Sequence, residues 1–212
     1  MPTNTLPQQP PTPLPAPGNA VIRLVMGGEA GSPGDGDPRV DDVDLYHLDD
    51  VVMQNVRGMI LGGNCDQIFL ERRREPLTAF VTSGGRIAVM GHPLTHFLPG
   101  LGVWRKLQYS GPNDLAITLD EPHPVWQGID PTDLSVRKGV SGFYARGYSE
   151  KLPADAIVTT RIGRHRLPVD YVYPLGAGEV LVHGGNDLTG WLTDSNSSAS
   201  MSGQLLDWLA QP

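Results

Sequence analysis

Short apolar runs separated by glycine-rich turns recur along this chain. Residues 20–26 (AVIRLVM) form a buried-strand pattern that ends at Gly27-Gly28. A Gly/Pro/Asp-rich loop over 29–42 follows, and 43–48 (VDLYHL) and 58–61 (GMIL) predict a second and a third strand, the latter ending at Gly62-Gly63. Residues 66–82 carry helical spacing broken by Pro76. Proline is tolerated at the first helical position, so the spacing predicts a helix restarting there with Leu77, Phe80 and Val81 toward the core. Gly84-Gly85 closes that helix and 86–90 (RIAVM) predicts a fourth strand. Further strands are expected at 116–119, 156–160, 170–173 and 179–183, and a last helix at 198–209 with Met201, Leu205, Trp208 and Leu209 on one side. Strands alternating with helices at this spacing predict an α/β three-layer sandwich, flavodoxin-like, with a central and mainly parallel sheet.

Composition adjusts the picture at the N-terminus. Residues 1–18 hold seven of the 20 prolines and almost nothing apolar, which predicts a proline-rich arm or linker preceding one domain over 19–212. The charge of −7 argues against a nucleic-acid partner. No apolar run is long enough to span a bilayer, and no signal peptide is expected. A single cysteine, Cys65, forbids an internal disulfide and fits a cytoplasmic setting.

In open α/β sheets the functional crevice lies at the carboxyl ends of the strands. Four such ends carry informative residues: Gly27-Gly28, Gly62-Gly63-Asn64-Cys65-Asp66, Gly91-His92-Pro93, and His183-Gly184-Gly185-Asn186-Asp187. The glycines admit close approach of a ligand to the backbone, while His183 and Asp187 supply polar contacts. Alternatively, a Gly-rich turn lets Asn and Asp satisfy their own backbone.

The run RGMILGGNCDQIFLERRREPLTAFVTSGGRIAVMGHP (57–93) resembles class I glutamine amidotransferase-like domains. In that fold the Gly-Gly loop supplies oxyanion-hole amides and the later turn presents a nucleophilic cysteine. The resemblance puts His92 at the cysteine position and His183 at the triad histidine. Gly185 stands where that pattern wants an acid, with Asp187 further on. GGRIAVMGH, LDEPHPVWQGI and RLPVDYVYPLGAGEVLVHGGND resemble, in order, segments of the ThuA (trehalose utilisation) family, which has the same fold without its cysteine. Together they cover roughly residues 57–190. The first β-α unit is shorter here, and that family's extra histidines are missing.

Histidine cannot form a glutamyl thioester, so glutaminase activity by the usual route is not expected. An imidazole at that turn can serve as general base, or simply hydrogen-bond nearby. Cys65 is a displaced nucleophile or a buried thiol, with Asp66 opposing its ionisation. A helix beginning at Pro93 would bring His92 and His96 to one face, and His96-Phe97 otherwise reads as a half-buried helix start. His123 is explained by turn geometry. The acids 35, 37, 41, 42 and 44 lack the pattern of a calcium loop and read as a solvated cluster. Arg72-Arg73-Arg74 spreads round a helix surface, and the aromatic stretch 142–148 (GFYARGY) reads as a crevice-wall loop. No cofactor and no metal are implied. Two functions compete. One is a non-catalytic binding or assembly module that docks on other protein subunits through its arm, with a small polar ligand such as a sugar as a further partner. The other is a ThuA-like enzyme acting on a carbohydrate with His92 and His183 as acid/base groups, supported by Asp187 and by Gly62, Gly63, Asn64, Gly91, Gly184, Gly185 and Asn186 as ligand-binding positions.

Overall fold

The computed structural model describes residues 19–26 and 37–211; the proline-rich segment, Gly27-Gly28, the 29–36 part of the predicted loop and Asp35 lie outside the described residues. The elements in chain order are β1 (Val21–Val25), β2 (Val40–Asp44), β3 (Gly58–Leu61), α1 (Gln67–Arg72), α2 (Arg74–Thr82), β4 (Arg86–Met90), β5 (Val103–Lys106), β6 (Ile117–Leu119), α3 (Pro131–Ser135), β7 (Val136–Arg137), β8 (Val140–Ser141), β9 (Gly147–Glu150), β10 (Ile157–Ile162), β11 (Leu167–Leu175), β12 (Gly178–His183) and α4 (Ser200–Leu209). Among the described residues eight strands form the central sheet, in the order β2-β1-β3-β4-β12-β11-β10-β6. The pairs from β2 through β12 are parallel, and β11, β10 and β6 continue antiparallel. The protein is therefore an α/β three-layer sandwich about a mainly parallel sheet.

The apolar runs of the sequence are continuous because the central strands are covered on both faces. Alternate residues enter opposite cores. Ile60, Ala88, Met90 and Leu181 point to the face covered by Met201, Leu205 and Leu209 of α4. Met59, Leu61, Ile87, Val89, Val180 and Val182 point to the face covered by Leu70 of α1 and Leu77 and Val81 of α2.

Several local expectations change. The run predicted as a strand at 43–48 splits: β2 ends at Asp44, whose carboxylate accepts from the Tyr46 amide and opens a 3₁₀ turn over Leu45–Asp50. Leu45 and Leu48, three apart, are its buried residues, a helical spacing that overrides the strand reading. The helix break falls at Arg73 (φ −106°, ψ 18°), so Pro76 is the third residue of α2, where its missing N–H costs nothing. No helix begins at Pro93 and His96 is exposed. The aromatic stretch 142–148 runs into β9, which pairs with β5. Arg73 pairs with Asp49 and lies over the Phe69 ring, and Arg23 pairs with Asp42.

Candidate functional site

Strands β3, β4 and β12 are neighbours, so their carboxyl-terminal loops meet. A Cβ on Gly91, whose φ is +86°, would lie 2.6 Å from the Gly63 Cα. The two loops therefore touch through glycine backbone, at a conformation that disfavours other residues. The left-handed residue of the predicted elbow is thus Gly91, one place before His92, and His92 itself carries no such strain. Gln67 on α1 pins the loop: its Nε2 donates to the His92 carbonyl, and its Oε1 accepts from the Leu94 and Thr95 amides. The imidazole of His92 stacks on Trp104 of β5, with centroids 4.0 Å apart, and the Trp104 Nε1 donates to the Gly184 carbonyl at 3.3 Å.

His183 occupies a different environment. It and Asp170 are cross-strand partners, both fully buried (0% exposed). The His183 Nδ1 meets the Asp170 Oδ1 at 2.5 Å, and its Nε2 meets the Asn186 carbonyl oxygen at 2.7 Å. A carbonyl offers only lone pairs, so Nε2 donates to Asn186, and Nδ1 shares its short hydrogen bond with the Asp170 carboxyl group. The other Asp170 oxygen accepts from the Tyr144 hydroxyl at 2.5 Å and from the Thr160 hydroxyl, and Tyr144 accepts from the Trp126 indole at 2.8 Å. Burial, then the Asp170 charge, holds the Tyr144 phenol well above its usual range. The result is a closed polar network inside the α4-side core.

The remaining candidates divide. His92, Gly185 and Asn186 line a cleft of about 270 Å³ together with 142–146. Gly185 is filled by protein, since a Cβ there would lie 1.8 Å from the Tyr144 carbonyl oxygen. The Asn186 amide N–H donates to that same oxygen, and its side chain donates to the Phe143 carbonyl at 2.5 Å. Gly184 donates its N–H to Val169. Asp187 turns away: its Oδ1 accepts from the Thr189 amide and hydroxyl, and its Oδ2 lies 4.0 Å from where a Gly62 Cβ would sit. Asn64 is exposed, with its Oδ1 folded toward Gly62. Cys65 is buried and donates to the Leu24 carbonyl at 3.4 Å. Burial, with the Asp187 charge adding, pushes its thiol up to about 11, so the buried-thiol reading holds. Among the described residues no group of three His, Cys, Asp or Glu could hold a metal, and no helix is long and apolar enough to cross a membrane.

Three contributors were not singled out from sequence: Asp170, Trp104 and Gln67. Asp170 had a usable signal, a lone carboxylate inside the apolar strand run VDYVY, where an acid needs partners. Trp104 and Gln67 act through tertiary contacts that the sequence does not mark.

Burial depresses His92, with the positive charge of His183 adding to it. Burial, and then Arg86, lowers His123 to about 4; its Nδ1 caps the Val125 amide. For a histidine depressed in the folded state, the unfolded chain takes the proton first as pH falls. The associated stability is whole above pH ~6.5 and is lost toward pH ~4. We expect the urea midpoint to fall between pH 7.5 and pH 5, and His123→Asn, which keeps a capping acceptor, to flatten that slope.

No protein-family model and no curated protein matches this chain. Solved structures do. Cytoplasmic Protein STM3548 from Salmonella typhimurium superposes with a TM-score of 0.57 at 13% identity, covering 91% of this chain and 100% of the other. Cytoplasmic Protein STM1381 from Salmonella typhimurium LT2 gives 0.57 at 11% identity, covering 90% and 99%. A beta-galactosidase from Rahnella sp. R3 gives 0.54 at 15% identity; the match covers 92% of this chain and 32% of the enzyme, so this chain spans about a third of that protein's length. At these identities the likeness establishes the fold.

Proposed function

We propose that this chain is a glutamine amidotransferase-like, ThuA-like domain that binds rather than hydrolyses, and that serves as an assembly module in the cytoplasm. The observation that carries the reading is His183: fully buried, with both ring nitrogens engaged by protein partners, it has no free nitrogen to offer a substrate. The Cys65 thiol, held near 11, offers no substitute nucleophile. Two whole-length neighbours named as cytoplasmic proteins support the location, and a domain of this fold within a larger beta-galactosidase supports an accessory role. Docking on other subunits is assigned to residues 1–18 on composition. The carbohydrate-enzyme reading draws on the His92 cleft alone and requires His183 to leave the Asn186 carbonyl.

Incubating the full chain with glutamine and measuring ammonia is the direct test. Release no faster than in protein-free buffer is expected. Turnover that His92→Ala abolishes would overturn the reading.

A further inference from the structure

The cleft beside His92 has an unusual charge balance for an acidic chain. Its lining, from His92 and Gly142 through Arg146 to Gly185 and Asn186, contains no carboxylate, although the chain's net charge is −7. Arg146 is exposed, and its Nε donates to the Gly142 carbonyl at 3.1 Å, which fixes the plane of the guanidinium. Among the described residues it has no ion-pair partner. Arg23, Arg73, Arg105 and Arg137 each hold a carboxylate.

We propose that this cleft binds a small oxyanion-bearing molecule, a carboxylate or a phosphate ester of about monosaccharide size, gripped by the two terminal nitrogens of Arg146 with the His92 ring alongside. A tethered guanidinium presents parallel donors that match an oxyanion in a bidentate way. A volume of about 270 Å³ suits a single sugar-sized body and excludes a peptide. The imidazole, braced by Trp104 at 4.0 Å, adds a hydrogen-bonding group, and partial burial and His183 lower its proton affinity. The titratable and charged groups around it are Arg146 in the lining and the buried His183–Asp170 pair. The proposal rests on the binding-module reading and names the chemistry of that module's ligand.

The test is an NMR titration of the full chain, following the His92 ring signals, with glucose 6-phosphate, glucuronate and glucose as probes. At least one charged probe should bind and raise the His92 titration midpoint, while glucose leaves it unmoved. Whichever charged probe binds assigns the phosphate or the carboxylate as the head group. Arg146→Gln, at an exposed position, should weaken that binding about tenfold to hundredfold. Glucose binding as tightly as the charged probes, unchanged affinity in Arg146→Gln, or no response to any probe would each overturn the anion site. Chemical turnover of a probe would instead sink the binding-module reading and leave the anion site standing.

Discussion

Asp170→Ala should cost about 3–5 kcal/mol of stability, read as a fall in the urea midpoint, the range for breaking a buried charge pair from one side. The substitution removes one carboxyl group and strands three groups at once: the His183 ring, the Tyr144 hydroxyl and the Thr160 hydroxyl, all fully buried. Each stranded donor adds its own desolvation cost. The pair itself is not thereby worth that much, since burying both charges is expensive to begin with. A double variant, Asp170→Ala with His183→Ala, should therefore lose less than the sum of the two single changes. Strict additivity would mean that the two groups are not coupled.

Gly185→Ala is the second large effect expected. A Cβ there would meet the Tyr144 carbonyl oxygen at 1.8 Å, and backbone cannot swing aside as a flexible side chain can. The turn after β12 must then separate from the 142–146 loop, breaking the bond from the Asn186 amide to Tyr144 and the Ala145–Gly185 bridge. Overpacking of this kind costs about 1–3 kcal/mol or more. Because the same two segments form the cleft, ligand binding should disappear with it. Gly190→Ala supplies the control: nothing lies within 4 Å of its Cβ position and its φ is not left-handed, so stability should stay within about 0.5 kcal/mol.

The layer order of the fold was legible because both-face burial leaves unbroken apolar runs, and β3, β4 and β12 lie where GMIL, RIAVM and EVLVH suggest. The glycine-rich ends of β3, β4 and β12 did converge, as the topology rule requires. What the sequence could not convey was the division of labour within them. Gly63, Gly91 and Gly185 read equally well as ligand cradles or as points where backbone meets backbone, and only the tertiary structure shows Gly63 against Gly91 and Gly185 against Tyr144. Likewise His92 and His183 look alike in sequence, each at a strand end beside glycine. One lies on the cleft wall against Trp104; the other is sunk in the core because its cross-strand partner is Asp170, 13 residues away in the chain. The short β5, which brings Trp104 to the site, has too few residues to show a period of two.

The central claim is that His183 belongs to a closed structural pair and not to a catalytic one. Nitrogen-15 NMR of histidine-labelled protein at neutral pH measures this directly. A protonated Nε2 on His183 and a proton shared between Nδ1 and Asp170, both slow to exchange with water, are predicted from its carboxyl and carbonyl partners. A bare Nε2, or an N–H exchanging as freely as that of an exposed imidazole, would contradict it.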